Sequence, residues 1–319
     1  MTSHTRVDLR IDLADSPDYG KAGTIAATLH LPDHLDRAPV LVCMPGAGYN
    51  RRYFDLEEPG YSEAEYHVAR GTIVVAIDHL GVGDSTVPPP EQTRIPDVAA
   101  ANCAAVAQIL AKLADGGFTG GRVVSPAAVI GAGQSMGGFI LVSMQAQQRP
   151  FDGLVVLGAS MVCTQIPAPR TGQALRASGY ADPLQHGARM FVETDWRFAF
   201  HWEDVPEHLV ALDIASKPPQ NGSVAPWGSA TVPNVTELLL PGFIAREAAI
   251  IDVPVLVAIG ERDVCQDPLR ELAAFQSARD LALFVAPRMA HMHNFGGTRR
   301  QLWHRTHSFV TQVAASARA

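Results

Sequence analysis

The chain has 319 residues, of which 47% are hydrophobic and 18% charged, with a net charge of -7 and a pI of about 5.9. This composition suits a globular protein with a substantial core, long enough for one large domain or a domain with an insertion. Basic residues are nowhere concentrated enough to suggest binding to nucleic acid, and the mild acidity argues against tight binding to anionic membranes.

The N-terminal residues lack the apolar core of a signal peptide, and no apolar stretch approaches the roughly 18 residues that span a bilayer. We therefore expect a cytoplasmic protein. The four cysteines have neither a Cys-x-x-Cys pair nor a metal-binding pattern, so free thiols are expected at Cys43, Cys103, Cys163 and Cys265.

The first predicted elements are strands. Residues 7–13 alternate apolar and polar side chains, as in an edge strand, and residues 23–31 are expected to form the second strand of a hairpin. Residues 39–44 and 72–77 are continuously apolar, which is typical of strands buried on both faces. Helices are predicted over residues 61–70 and 97–114.

The second half of the chain continues this alternation. Short apolar runs predict further strands, and the stretches after them predict helices over 267–278 and 298–315. Strands separated by helices imply a mainly parallel sheet with helices on both faces. The predicted strands are 127–130, 154–157, 254–259 and 281–285.

Residues 160–250 interrupt the pattern, because they contain no buried-strand run. Residues 189–215 combine helical spacing with many aromatic side chains. We predict a partly helical cap over residues 161–245, inserted into a core domain made of residues 1–160 and 246–319. A cap is favoured because this segment leaves the sheet at the carboxyl ends of the strands, where ligands bind.

The motif with the clearest chemistry is Gly133-Gln134-Ser135-Met136-Gly137, which follows a short apolar run. Gly-x-Ser-x-Gly between a strand and a helix forms a nucleophile elbow, a strained turn that exposes the serine. The motif is weak by itself, because glycine-rich turns are common. It gains force only if an acid and a histidine follow at suitable strand ends.

Both partners are present. Asp263 follows a late strand and His291 follows the last one, so both are expected at the same sheet edge as Ser135. The order serine, acid, histidine is that of the fold in which this elbow occurs. Glu261 or Asp267 could instead supply the carboxylate, and His293 competes with His291 as the base.

The oxyanion formed during acyl transfer needs hydrogen-bond donors. The N–H of Met136, directly after the nucleophile, is one candidate, and the N–H of Ala47 in the glycine-rich loop after the third strand is the other. Glycines in that loop allow the backbone to approach the substrate.

Together these motifs resemble an α/β-hydrolase-fold serine hydrolase over nearly the whole chain. They are Pro45-Gly46-Ala47-Gly48, Asp78 to Ser85, Gly133 to Gly138, Gly260 to Asp263, and Ala290-His291. In this family the Asp78–Ser85 turn is structural, which implies that Asp78 and His79 are not catalytic. Many relatives have His-Gly before the oxyanion loop where this chain has Pro45-Gly46.

The resemblance implies a cofactor-free and metal-free enzyme that hydrolyses an ester, thioester, lactone or similar acyl bond of an apolar small molecule. The same triad could serve acyl transfer, cyclisation or carbon–carbon hydrolysis, or the fold could be a non-catalytic binding protein. The sequence does not determine the oligomeric state, and a homo-oligomer is compatible with it. An epoxide hydrolase or dehalogenase would need a carboxylate at position 135. Predicted substrate-binding residues are Gly46, Gly48, Tyr49, Trp196, Phe200 and Trp202.

Overall fold

An eight-stranded sheet organises the part of the chain that the computed structural model describes, residues 4–16, 19–169, 192–215, 217, 225–230 and 235–316. The strand order is β1-β2-β4-β3-β5-β6-β7-β8. The first two strands pair antiparallel, as do β2 and β4, and the remaining neighbours are parallel. The strands are β1 (Thr5–Asp12), β2 (Thr24–Leu31), β3 (Val40–Met44), β4 (Ile73–Ile77), β5 (Val129–Gln134), β6 (Gly153–Leu157), β7 (Val255–Arg262) and β8 (Leu281–Ala290).

Helices cover both faces of the sheet because its central strands alternate between two apolar cores. Val40, Val42 and Met44 of β3 belong to the core that α2 and α3 complete, whereas Leu41 and Cys43 belong to the core with α1 and α8. The described helices are α1 (Glu63–Val68), α2 (Ile95–Ala114), α3 (Met136–Gln148), α4 (Trp196–Phe200), α5 (Glu207–Ile214), α6 (Ala245–Ala249), α7 (Pro268–Leu272) and α8 (Arg299–Ser316).

This architecture confirms the predicted mainly parallel sheet with helices on both faces. One composition-based expectation was wrong: by length and hydropathy α2 meets the test for a membrane-spanning helix. Eleven of its residues are nevertheless buried inside the protein, and it packs along α3. A core helix satisfies the same compositional test, which is why composition alone misjudges it.

Element bounds differ from the predictions mainly after β7. The helix predicted over 267–278 ends at Leu272, because the N–H groups of Ala273, Ala274 and Phe275 bond to carbonyls three residues back and tighten the chain into turns. Within residues 189–215, for which helical spacing was predicted, the described part contains helical residues at 192–193 and the separate helices α4 and α5. Residues 170–191, 216, 218–224 and 231–234 of the predicted cap lie outside the described part.

Candidate active site

The elbow places Ser135 between the last residue of β5 and the first residue of α3, with φ 52° and ψ -120°. Such a conformation is strained for a residue with a side chain, and it persists because its surroundings enforce it. A Cβ on Gly133 would lie 2.3 Å from the carbonyl oxygen of Gly137, and a Cβ on Gly137 would lie 2.3 Å from that of Met44. Both flanking glycines are therefore required for the turn to close.

The three side chains predicted to act together form a continuous hydrogen-bonded chain. His291 Nε2 lies 3.0 Å from Ser135 Oγ, and His291 Nδ1 lies 2.6 Å from Asp263 Oδ1. Because an ionised carboxylate only accepts, Nδ1 carries the proton and the Nε2 lone pair faces the serine hydroxyl. This arrangement lets the imidazole accept the serine proton.

Asp263 lies directly after β7 and is fully buried within a ring of donors. The backbone N–H groups of Gly260 and Val264 donate to it, and His293 Nε2 lies 2.8 Å from its second oxygen. Burial raises its pKa, but the charges and hydrogen bonds of His291 and His293 outweigh burial and bring the pKa well below its ordinary value. The carboxylate therefore remains ionised near neutral pH.

The structure places the competing candidates away from direct contact with Ser135 in the described part of the chain. Glu261 accepts a hydrogen bond from the backbone N–H of Arg288, and Asp267 stands at the start of α7. His293 contacts the far oxygen of Asp263, and its Nδ1 is buried without a partner among the described residues. No hydrogen bond joins these three side chains to Ser135 in the described part of the chain.

The loop after β3 lies against the elbow. A Cβ on Gly46 would stand 2.3 Å from Gln134 Oε1 and 3.0 Å from Ser135 Cβ, so only glycine fits there. Among the described residues, no acceptor is found for the backbone N–H of Ala47 or of Met136. Those two groups were the predicted oxyanion donors.

The side chain of His79 is hydrogen-bonded to the backbone of the loop after β3. His79 Nε2 donates to the carbonyl oxygen of Pro45 at 2.8 Å, and the amide of Asn102 donates to Nδ1 at 2.7 Å. Burial lowers the pKa of His79 to about 4, against a smaller opposing effect of the Pro45 bond, so the ring is neutral near pH 7. These contacts place His79 in a buried hydrogen-bond network, consistent with the structural turn that the family resemblance implies.

Asp78 connects the same region to the following turn. It accepts hydrogen bonds from the backbone N–H groups of Arg51 and Asp84, at 2.6 and 2.9 Å, and from the Arg51 guanidinium at 2.5 Å. Arg51 also contacts the Asp84 carboxylate at 2.9 Å. Asp78 is thus a buried structural charge, again as predicted.

One aromatic side chain from the β6–β7 connection (residues 158–254) reaches the histidine. The ring centroid of Phe200 lies 5.3 Å from that of His291, and Trp196 packs on Phe200 at 4.7 Å. The backbone N–H groups of His291 and Met292 also donate to carbonyls of α4, at 3.3 and 3.0 Å. Trp202 instead packs against the guanidinium of Arg262, at 4.6 Å.

A buried polar cluster that sequence reasoning missed joins the loop after β3 to α5. Asp213 accepts hydrogen bonds from the Tyr49 hydroxyl at 2.7 Å and from Trp227 Nε1 at 2.9 Å, and His201 Nε2 lies 3.0 Å away. Gln134 is a second omission, because its amide donates to the carbonyl oxygen of His291. Asp213 lies at a position that carries no motif, so the sequence offers no signal for it.

The described part of the chain contains no group of three His, Cys, Asp or Glu side chains that could bind a metal ion. Comparison with known proteins then decides the family. Residues 41–300 match the alpha/beta hydrolase family.

The chain belongs to the alpha/beta hydrolase family.

Solved structures place this alpha/beta hydrolase among distant relatives of several activities. A proline iminopeptidase from Mycobacterium smegmatis has a TM-score of 0.62 and 17% identity, covering 98% of this chain and 100% of its own. A thermophilic esterase from Thermogutta terrifontis (malate bound) has a TM-score of 0.59 and 16% identity, with coverages of 96% and 99%. A loop variant of a haloalkane dehalogenase from Bradyrhizobium elkanii has a TM-score of 0.62 and 14% identity, with coverages of 98% and 99%.

At these identities the likeness shows the fold alone. No curated protein matches the sequence significantly.

Proposed function

We propose that this alpha/beta hydrolase is a serine hydrolase that cleaves an ester, thioester or lactone bond of a small molecule with an apolar acyl or alcohol group. The observation that carries the proposal is the hydrogen-bonded chain from Ser135 Oγ through His291 to Asp263, with distances of 3.0 and 2.6 Å. A serine hydroxyl is a poor nucleophile near pH 7, and this chain supplies the base that it lacks.

In the proposed mechanism Ser135 Oγ attacks the carbonyl carbon while His291 Nε2 takes the hydroxyl proton. The imidazolium is stabilised by the carboxylate of Asp263, which also fixes the ring orientation. The tetrahedral intermediate collapses as His291 gives the proton to the leaving oxygen or sulfur. Water, deprotonated by His291, then attacks the acyl-enzyme, and the imidazolium returns the proton to Ser135 Oγ as the acid is released.

The backbone N–H groups of Met136 and Ala47 are the proposed donors to the oxyanion. Met136 begins α3, so its N–H points out of the first turn of a helix, where the backbone dipoles favour negative charge. The proximity of Gly46 to Ser135 supports the second donor, since Ala47 is the next residue of the same loop.

We also propose that residues 161–245 act as a cap over this site. Support comes from Phe200, which packs on His291, and from the hydrogen bonds between α4 and the histidine loop. Cytoplasmic location and the absence of nucleic-acid or membrane partners stay predictions of the sequence.

The residue at position 135 distinguishes this proposal from the activities of some structural neighbours. Hydrolysis of an epoxide or a haloalkane through an alkyl-enzyme ester needs a carboxylate nucleophile, and this chain has a serine. Acyl transfer to an acceptor other than water keeps the same residues in the same roles. Product analysis with and without added alcohol or amine separates transfer from hydrolysis.

The decisive experiment is labelling with a fluorophosphonate, followed by peptide mass spectrometry. We expect the adduct on Ser135 in the folded protein, no adduct in Ser135→Ala, and wild-type labelling in the control Ser308→Ala. A panel of acyl esters and thioesters of varied chain length, with Ser135→Ala as blank, then identifies the bond. Folded wild-type protein that neither labels at Ser135 nor turns over any ester would refute the proposal.

A further inference from the structure

Lys217 is unlike the other lysines of the chain. The sequence contains three, Lys21, Lys112 and Lys217. The first two have side chains that are 44% and 57% exposed, whereas Lys217 is buried, at 7% exposure. Its Nζ lies 3.8 Å from the centroid of the Tyr49 ring and 5.8 Å from that of Phe200. A buried ammonium needs a physical explanation, because removal from water is costly for a charge.

Asp213 is the acid whose negative charge acts on this ammonium, but the two groups form no direct ion pair in the described part of the chain. No carboxylate oxygen of the described residues forms an ion pair with Lys217, and no hydrogen-bond acceptor is found among them for Nζ. The nearest acid along the chain, Asp213, directs its oxygens to Tyr49, His201 and Trp227. The aromatic face of Tyr49 attracts the cation but cannot accept its hydrogen bonds as a carboxylate would.

Two opposing effects act on the amino group of Lys217, and together they lower its pKa. Burial lowers the pKa of its amino group, and the negative charge of Asp213 opposes that effect. The other titratable groups that face this cluster are Tyr49 and His201, both bonded to Asp213. Burial, the Asp213 charge and the Asp213 hydrogen bond raise the pKa of Tyr49 well above its ordinary value, so its ring stays neutral. Lys217 is thus a largely buried amino group for which no described residue accepts a hydrogen bond, beside the charge of Asp213 and the face of Tyr49.

This amino group lies beside the predicted oxyanion loop. A Cβ on Gly48 would be 3.5 Å from Lys217 Nζ, and a Cβ on Gly46 would be 3.0 Å from Ser135 Cβ. Two residues of one loop therefore contact the ammonium and the nucleophile. Phe200 lies near both the ammonium of Lys217 and the imidazole of His291, so its ring is close to the proposed carboxylate site and to the proposed triad.

We propose that Lys217 binds a carboxylate carried by the acyl substrate, so that the enzyme prefers esters or thioesters of acids with a second, distal carboxylate. This inference rests on the proposed function. The distal carboxylate completes the hydrogen bonds of the ammonium in a site with little water, where charge-assisted bonds are strong. The rings of Phe200 and Tyr49 then border the path between the two ends of the acyl chain.

The test compares two substrates that differ only in charge, mono-4-nitrophenyl adipate and its methyl ester, with Ser135→Ala as the blank for spontaneous hydrolysis. We expect wild-type kcat/KM to be at least tenfold higher for the monoacid. In Lys217→Met, which keeps the length and removes the charge, this ratio should fall at least tenfold. Lys217→Arg should retain part of the preference, and the exposed control Lys112→Met should keep the wild-type ratio.

A binding measurement separates this inference from the proposed function. Calorimetry with monomethyl adipate on folded Ser135→Ala should give a Kd at least tenfold lower than on the Ser135→Ala, Lys217→Met double variant. Equal dissociation constants, or equal substrate ratios in wild type and Lys217→Met, would overturn the role of Lys217 even if Ser135 labels. Charge-dependent binding without labelling would instead refute the hydrolase and leave the carboxylate site standing.

Discussion

At this site, the choice of amino acid is most restricted where the loop after β3 packs against the nucleophile elbow. Gly46 is such a position, because its missing side chain leaves room for Gln134 and Ser135. The sequence singled out Gly46 as part of a permissive loop, but it could not show that the neighbours would be the elbow itself. That information exists only once β3 and β5 pair, with Met44 opposite Gly133.

Gly46→Ala tests this contact. The added methyl group must displace the loop from the elbow, and with it the predicted oxyanion donor Ala47. We expect kcat/KM on a reactive ester to fall by about 10²-fold, the cost of losing one oxyanion donor. The control is Gly20→Ala, where nothing lies within 4 Å of an added Cβ. It should lose some stability through its φ of 67° but no activity. Equal activities in the two variants would contradict the assigned contact.

The pairing of two histidines with one aspartate shows what residue-level reasoning can and cannot supply. Position in the chain predicted that Asp263 and His291 would lie at the sheet edge of Ser135, because each follows a strand. It could not predict that His293 turns back to the second oxygen of Asp263, since that depends on loop geometry. Gly158, directly after β6, leaves no room for a side chain there, because an added Cβ would lie 3.1 Å from both Asp263 and His293.

Secondary structure elements were predicted best in the interior of the sheet. Continuous apolar runs identified β3 and β4 to within one residue, because burial on both faces leaves no room for polar side chains. Strand β8 runs to Ala290, beyond the predicted end, although Pro287 lies within it. β8 is the last strand of the sheet, and an edge strand tolerates proline where no ladder hydrogen bond is needed.

The turn held by Asp78 carries a buried charge network with Arg51 and Asp84. Asp78→Asn removes the charge that balances Arg51 and turns one accepting oxygen into a donor. Breaking a buried pair of this kind costs about 3 kcal/mol of unfolding free energy. Urea denaturation followed by circular dichroism measures it. Asp36→Asn, at an exposed position, should change stability by less than about 0.5 kcal/mol. A similar loss in both variants would show that the Arg51 network contributes nothing.

At the scale of the whole molecule, buried histidines dictate how stability responds to acid. Burial lowers the pKa of His79 to about 4, and burial, opposed in part by Asp55, lowers that of His30 to about 4. Unfolding returns both groups to about 6.5, so between these values the unfolded chain binds more protons than the folded one. Stability must therefore fall as pH decreases through this window.

We expect the unfolding free energy to drop continuously from pH 6.5 to pH 4, by at most about 3 kcal/mol for each histidine. Urea titrations at half-unit intervals of pH measure the slope. Asp263 and Asp213 do not contribute there, because their folded pKa values are lowered and their stabilising effect disappears only below about pH 4. A flat profile between pH 6.5 and 4 would show that the two histidines titrate alike in both states.

A mainly parallel sheet with helices on both faces was predictable because strands and helices alternate along the chain. The arrangement of residues 160–250 was not predictable. Their signals were aromatic content and helical spacing, which indicate helices but not what they touch. Lys217 and Asp213 lie in or beside a proline- and glycine-rich stretch without periodicity. Their roles arise from tertiary contacts with the loop after β3, more than 160 positions away, as in the bond from Tyr49 to Asp213.

The hydrogen bonds between α4 and the backbone of His291 and Met292 have a mechanical consequence. These bonds tie α4 to the backbone of His291, the proposed general base, so an outward movement of α4 would break them or shift the imidazole. We therefore expect a substrate to enter around α4, and a covalent tether from α4 to the histidine loop to leave turnover intact.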